Sequence, residues 1–195
     1  MPNIMIHEEV GNFISKKLKI NSYDYYLGLL APDAPNLEGF APKEERWMAH
    51  VRKRDLKEWR LSINNFYKQE KDNYPKDFLI GYYIHILTDI IYDDFLYLNI
   101  REKILVDGYK LEESHQVMLK DMNKYYFKEI DNIKEILKNN DLSYNIQNID
   151  KELLTAWKLK QINNFSTNNT SKYFNSETIN KLNNLVYNEV YKNII

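Results

Sequence analysis

Residues 76–94 read KDFLIGYYIHILTDIIYDD, and every position from Phe78 to Leu87 is apolar except Gly81 and His85. Drawn as a helix, this segment carries apolar side chains on all faces, which is typical of a helix buried on every side. The apolar run is about half of the ~20 residues that a helix needs to cross a bilayer. We therefore expect a central core helix around which the rest of the chain packs.

The composition of the whole chain also favours helices. Its 195 residues include only five glycines and five prolines, whereas an all-β fold needs turn residues about every 8–12 positions. Outside the central segment, apolar residues recur at spacings of three and four, the helical period. The sequence therefore predicts an all-α fold, a single multi-helical domain over residues 1–195. The expected helices cover about residues 6–18, 23–30, 44–50, 56–67, 76–94, 95–105, 112–137, 151–162 and 177–194, with a polar surface loop at 163–172.

Charge and cysteine usage exclude several classes of function. The 27 basic residues balance 28 acidic ones, which argues against an extended nucleic-acid-binding surface. No cysteine is present, which excludes disulfides, thiolate metal ligands and a catalytic thiol. The first residues have neither the basic nor the apolar segment of a secretory signal. With no predicted transmembrane segment, these features predict a cytoplasmic protein.

His85 and Asp89 are the first candidates for a functional site. At four-residue spacing they lie on one face of the central helix, where an imidazole and a carboxylate can bind one divalent ion. The simpler alternative is a hydrogen bond within the helix. A carboxylate in a buried apolar helix needs a partner, and a metal ion would be one.

Two further histidines are candidate ligands. His7 lies on the apolar face of the helix predicted at 6–18, where a core histidine is the alternative to a ligand. His50 ends the helix predicted at 44–50, and propensity alone would equally allow a core or a surface role.

Asp33 lies in the segment APDAPN, residues 31–36, between two prolines. Because the residue before a proline is disfavoured in the α region, we expect a fixed non-helical elbow here. Aspartate is common in turns, so a structural role in the turn would explain Asp33 without any catalytic role. A carboxylate held rigidly in a loop is also well placed to act as a catalytic base.

Taken together, these segments resemble the zinc-dependent phospholipase C family, in the broad sense that includes small cytoplasmic relatives. The specific parts are a Gly-x-x-x-Pro-Asp elbow ending at Asp33 and a Gly-Tyr-x-x-His-x-x-x-Asp helix ending at Asp89. The resemblance covers residues 1 to about 95, half of the chain. Its matching segments are MPNIMIH at 1–7, LGLLAPD at 27–33, WMAH at 47–50 and GYYIHILTD at 81–89.

The resemblance implies an all-α fold with zinc bound in a cleft between helices. It implies that His50, His85 and Asp89 hold one zinc, that His7 and a bridging Asp89 hold a second, and that Asp33 is the general base. The implied reaction is hydrolysis of a phosphate ester, either a small molecule or a lipid head group, by metal-activated water. One or two ions are expected, and Fe or Mn stay open because His and Asp ligands suit several metals.

The chain departs from the family in its third zinc site. Secreted members carry a later His…His-x-x-x-Glu set, whereas here only His115 follows Asp89, with Leu119 four residues on. The third site is therefore expected to be missing. His115 shares a helix face with two methionines, which predicts a core position for it.

Asp93 and Asp94 follow Asp89 by one turn. We expect them to cap or solvate the end of the central helix. Asp93, at four-residue spacing from Asp89, is the one that could also reach the same cleft.

A function of another class stays open: a non-catalytic helical binding module whose metal site is structural or vestigial. The two hypotheses differ in what they require of the fold. A metal-dependent phosphoesterase needs five side chains from four segments to meet within a few ångströms: His7, Asp33, His50, His85 and Asp89. If His7 and His50 lie on opposite sides of the fold, the binding module is favoured.

Overall fold

Helix α5, Lys76–Ile91, lies at the centre of the fold, and every residue from Phe78 to Ile91 is buried. The computed structural model describes residues 2–163 and 170–194. Over those ranges the chain is all-α, as predicted, with no strand and one isolated bridge between Ile146 and Ile149. The other helices are α1 Ile4–Leu18, α2 Tyr23–Leu30, α3 Lys43–Ala49, α4 Leu56–Glu70, α6 Tyr97–Val106, α7 Leu111–Met122, α8 Ile130–Lys138, α9 Lys151–Asn163 and α10 Ser176–Ile194.

Helices α1, α2, α4 and α10 all pack against α5. The closest approach is that of α2, and two glycines make it possible. A Cβ atom on Gly81 would lie 2.0 Å from the Tyr25 carbonyl oxygen, and one on Gly28 would lie 2.0 Å from the Phe78 carbonyl oxygen. Because both neighbours are backbone atoms of packed helices, no side-chain rotation can make room. These glycines therefore fix how α2 is placed along α5.

Replacing Gly81 by alanine is expected to lower the free energy of unfolding by about 3 kcal/mol, since α2 must move to admit the methyl group. The matched control is Gly108→Ala, where the added Cβ meets nothing within 4 Å and only the positive φ of 92° opposes it. That control is expected to cost about 1 kcal/mol. Urea unfolding followed by circular dichroism measures both, and equal losses would contradict the close-packing explanation.

The elbow at residues 31–36 was predicted to be non-helical, and this is wrong. The chain forms a 3-10 helix there, Ala31–Asn36, directly after α2. Pro32 lies in its first turn, where the missing N–H has no intrahelical acceptor and the fixed φ suits a helix. Ala31 keeps helical angles (φ −58°, ψ −44°) although a proline follows it. The segment is nonetheless rigid and buried from Ala31 to Ala34.

The single helix predicted at 112–137 is also wrong, because the chain leaves the helix between α7 and α8. The Asn3 side-chain amide donates to the Met122 carbonyl (2.9 Å), which in a continuous helix would accept from residue 126. The Asp121 carboxylate meanwhile accepts from Ser171 Oγ and from two backbone N–H groups at 172–173. These long-range contacts end α7, although the apolar spacing continues through the break.

Asp93 and Asp94 lie in a π-helical turn, Tyr92–Leu96, between α5 and α6. Asp94 is solvent-exposed, as predicted, but neither residue caps a helix end, because the helical chain continues into α6, and both form ion pairs. Asp93 accepts from Arg52 (2.8 Å), two residues after His50, and Asp94 accepts from Arg60 of α4 (3.0 Å). A π turn often accompanies a functional site, and this one directly follows the helix that carries Asp89.

His115 is exposed, so its predicted core position is wrong. The buried face of α7 consists of Ser114, Met118, Asp121 and Met122, and His115 lies beside that face. Of the loop predicted at 163–172, residues 164–169 lie outside the described part of the chain. None of the helices described here has the length and apolar character needed to cross a bilayer.

Candidate metal centre

The five candidate residues meet at one place in the core, as the phosphoesterase hypothesis requires. His7 comes from α1, Asp33 from the 3-10 turn, His50 from the end of α3, and His85 and Asp89 from α5. The side chains of His7, His85 and Asp89 are fully buried, and that of His50 is 2% exposed. Only Asp33, at 13%, has measurable access to solvent.

The donor atoms are separated by distances that suit a bound metal ion. Asp89 Oδ1 lies 3.3 Å from His7 Nε2, and Asp89 Oδ2 lies 3.4 Å from His50 Nε2. Asp33 Oδ1 lies 3.5 Å from His50 Nε2. Ligands at ~2.0–2.2 Å from a tetrahedral zinc ion are about 3.3–3.6 Å apart, which is the range of these three separations.

His85 reaches both carboxylates. Its Nε2 atom lies 3.9 Å from Asp33 Oδ2 and 4.0 Å from Asp89 Oδ2. Asp89 therefore presents one oxygen to His7 and the other to His50 and His85, the arrangement expected of a bridging carboxylate. His85 belongs to both of the residue groups that could hold an ion: His7, Asp33 and His85, and His50, His85 and Asp89.

Most of these donor atoms have no hydrogen-bond partner. The unpaired buried atoms are His7 Nδ1 and Nε2, His50 Nε2, His85 Nε2, and both carboxylate oxygens of Asp89. A native core pairs nearly all of its buried polar atoms, so an unpaired cluster of this size needs an explanation. A closed hydrogen-bond network would leave no such atoms, whereas a metal ion would satisfy them. The cluster could hold a metal ion, and its donor chemistry fits one.

The tautomers of two histidines are fixed by backbone carbonyls. His85 Nδ1 lies 2.7 Å from the Leu29 carbonyl oxygen, and His50 Nδ1 lies 2.8 Å from the Arg46 carbonyl oxygen. Because a carbonyl can only accept, both Nδ1 atoms carry the proton, and in a neutral ring the Nε2 atom then keeps a lone pair. This outer hydrogen bond is the usual companion of a metal-binding histidine. The close contact of α2 with α5 brings the Leu29 carbonyl within reach.

His7 and His85 are stacked, with ring centroids 3.8 Å apart and planes within 3° of parallel. Two imidazolium ions at this distance would repel each other strongly. Burial lowers the pKa of His85 to about 3, the neighbouring His7 adds to the effect, and the two carboxylates oppose it. His85 is therefore a neutral imidazole at physiological pH, the form that binds metals.

The carboxylates are ionised. Burial by itself would raise the pKa of Asp33, but the close contact with His50 and the electrostatic effect of the nearby histidines lower it well below its usual range. Burial likewise opposes ionisation of Asp89, and His7 followed by the other histidines lowers its pKa. His50 differs from His85: burial lowers its pKa, but Asp33 and Asp89 outweigh burial and raise it. Two carboxylates beside the neutral His85 imidazole form a donor set that suits a divalent cation.

The end of α3 holds His50 in place through an unusual backbone. Val51 N–H donates to the Met48 carbonyl and Arg52 N–H to the Trp47 carbonyl, the two bonds of a Schellman motif. Glycine usually occupies the left-handed position of this motif, yet here Val51 has φ +49°. A β-branched residue in this region is strained, and such strain concentrates at functional sites. Trp59 Nε1 adds a bond to the His50 carbonyl (2.9 Å).

Replacing Val51 tests this strain. Val51→Gly and Val51→Ala both remove the side chain, but only glycine adopts the left-handed conformation without cost. We expect the glycine variant to be more stable than the alanine variant by about 1 kcal/mol, the reverse of their usual order in helices. Thermal and urea unfolding measure the difference. If the alanine variant is the more stable, the backbone at Val51 is not strained.

Within the described part of the chain, the cluster meets solvent next to Asp33. A cavity of ≈ 270 Å³ lies there, lined by Pro2, Asp33, Asn36, Gly39 and Phe40. Asn36 Nδ2 donates to Asp33 Oδ1 (3.2 Å), and Asn36 Oδ1 accepts from the Ala41 N–H (3.2 Å). This side chain therefore ties the loop at 37–42 to the carboxylate. Asp33 is the one member of the cluster that a molecule in the cavity can touch.

Sequence reasoning did not single out Asn36, Phe40 or Val51. Asn36 follows Asp33 by three residues, a spacing that could have suggested a hydrogen bond within the turn. The strained φ of Val51 leaves no sequence signal, since valine is the opposite of what the motif usually contains. Phe40 is of functional interest only because it lines the cavity beside Asp33.

Comparison of the chain with protein-family models, with curated proteins and with solved structures finds no match.

Proposed function

We propose that this protein is a metal-dependent phosphoric ester hydrolase that uses metal-activated water. The observation that carries the proposal is the group of unpaired donor atoms on His7, His50, His85 and Asp89, which face one another in the core beside Asp33. The resemblance of the segments around these residues to the zinc-dependent phospholipase C family adds to the proposal, because it implies the same five residues. A distant relationship to that family is part of the proposal.

When bound, the metal would lower the pKa of a water ligand to about 7 and polarise a phosphoryl oxygen. His50, His85, Asp89 and His7 are the residues that would hold it. Their Nε2 atoms and carboxylate oxygens are already oriented, with two of the imidazoles fixed by backbone carbonyls. Little reorganisation is therefore needed on binding.

Asp33 is assigned the role of general base. Its carboxylate is ionised, is the most exposed of the cluster, and borders the cavity through which a substrate would enter. It can accept the proton of the attacking water while the Asn36 amide holds it in position. Its distances to His50 and His85 would also allow it to bind a metal ion, and the two roles differ in a measurable way.

The non-catalytic alternative is a binding module with a structural metal. A structural zinc site is closed, with four protein ligands and no open position. Here the cluster borders a cavity at Asp33, and this opening favours the catalytic function. We propose zinc as the metal from the His and Asp donor set, with one or two ions, while Fe and Mn use similar ligands. A cytoplasmic location stays a prediction.

The proposal is tested by assaying the metal-loaded protein against phosphate monoesters and diesters. We expect release of phosphate or of the alcohol at a rate that falls when a chelator removes the metal and recovers when zinc is restored. Trace phosphatase contamination is excluded by His50→Ala, prepared in the same way, which should be inactive. If the metal-loaded protein hydrolyses neither class of ester, the proposed function is wrong.

A further inference from the structure

The rim of the cavity beside Asp33 carries the aromatic ring of Phe40, which does not pack in the hydrophobic core. Phe40 is 90% exposed, the highest value among the large apolar side chains described, and its ring lines the cavity. A single exposed aromatic residue is ordinary. This one differs because it lines the cavity that Asp33 of the candidate metal centre borders and because its loop is tethered.

The loop that carries Phe40 is held at several points. Asn36 binds the Ala41 N–H, and Arg46 Nε donates to the Ala41 carbonyl (2.9 Å). Lys160 Nζ also donates to the Leu37 carbonyl. The Arg46 guanidinium, fixed by its bond to Ala41, lies 5.4 Å from the centroid of the Phe40 ring. The ring is thus backed by a cation and is otherwise open.

The volume of the cavity and the charge at its rim restrict which ligands can bind there. A cavity of ≈ 270 Å³ is smaller than the ~300–1,000 Å³ typical of drug-sized ligands. Arg46 places a positive charge at the aromatic ring, which attracts a phosphate and repels a quaternary ammonium head group. An aromatic ring can stack on Phe40 in the offset geometry that aromatic pairs prefer.

We propose that the site takes a small phosphate ester whose alcohol part is a flat aromatic group, and that Phe40 binds this group by stacking. This inference rests on the proposed function and adds the class of substrate. Arg46 is a positioning residue that holds the ring and adds positive charge at the opening. A long-chain lipid or a polymer is not needed to fill the cavity.

The first test uses two substrates of similar size whose leaving alcohols have similar acidity: benzyl phosphate, which is flat at the ring, and cyclohexylmethyl phosphate, which is not. We expect kcat/KM to favour benzyl phosphate by about 2- to 10-fold, the usual range for an aromatic pair. Phe40→Leu keeps an apolar side chain and should abolish this preference. Phe40→Tyr keeps the ring and should preserve it.

A second test measures binding without turnover. Calorimetric titration of the metal-loaded protein with phenylphosphonate, cyclohexylphosphonate and phosphocholine should give the tightest Kd for phenylphosphonate, and Phe40→Leu should equalise the first two. Equal Kd values in the wild type, or tighter binding of phosphocholine, would overturn the inference. So would the absence of binding by any probe while metal is bound. A protein that retains no metal fails at the proposed function instead, which separates the two outcomes.

Discussion

His85→Ala is expected to release the bound metal and to lower phosphate ester hydrolysis by about 1,000-fold or more. His85 belongs to both candidate metal groups, so its loss affects either ion. Without a metal ion the pKa of the attacking water would rise from about 7 back to its much higher value in bulk solvent, and hydroxide would no longer be available at neutral pH. Metal content and hydrolysis rate, measured on the same preparation, test this.

The matched control is His115→Ala, which removes the exposed histidine of α7 that lies outside the cluster. It should keep the wild-type metal content and rate. Because His85 is fully buried, His85→Gln is a second variant that guards against misfolding, and circular dichroism shows whether each variant is helical. A folded His85 variant that keeps both metal and rate would contradict the assignment.

Asp33→Asn is expected to lower kcat by about 100- to 10,000-fold while the metal stays bound, because asparagine has the same shape but cannot accept a proton. The pKa of Asp33 is lowered, so its carboxylate is the charged form near neutral pH, as a base requires. KM should change little if the side chain acts on the water alone.

Asp93→Asn is the control for Asp33→Asn. Asp93 lies one turn beyond Asp89 but pairs with Arg52, so this variant should stay within about 3-fold of the wild-type rate. Loss of metal from Asp33→Asn would show that Asp33 is a ligand and not the base. An unchanged rate would remove Asp33 from the mechanism altogether.

The central helix and its pair of site residues, His85 and Asp89, could be predicted because both depend on local sequence. Apolar residues on every face of residues 78–91 require burial, whatever packs against them. The four-residue spacing of His85 and Asp89 places them on one face of any helix. That His7, Asp33 and His50 come to the same place could be expected only from a resemblance between whole segments. Spacing alone does not bring α1, α3 and α5 together.

The wrong prediction of a single helix at 112–137 has its cause in contacts between residues distant in sequence. The apolar stripe through residues 112–137 is intact, yet Asn3 takes the Met122 carbonyl and Asp121 binds the turn at 171–173. The apolar spacing of the stripe itself does not indicate either of these long-range contacts. Asp93 and Asp94 similarly find Arg52 and Arg60, which lie about 40 and 34 residues earlier.

The error at residues 31–36 has a local cause. Proline disfavours the α region for the residue before it, but a proline in the first turn of a helix is tolerated. The second effect prevails here because the turn continues directly from α2, whose last residues already have helical angles. The position of Asp33 beside His50 and His85 does not depend on which of these local conformations is expected.

The central claim is that His7, His50, His85 and Asp89 hold a metal ion beside Asp33, and the most direct test is the metal content of the untagged protein. The protein is purified without chelator and analysed by elemental mass spectrometry, beside His85→Ala and His115→Ala. We predict one or two equivalents of a transition metal in the wild type and in His115→Ala, and loss of this metal from His85→Ala. No bound metal in the wild type, together with no thermal stabilisation by added Zn²⁺, Mn²⁺ or Fe²⁺, would contradict the claim.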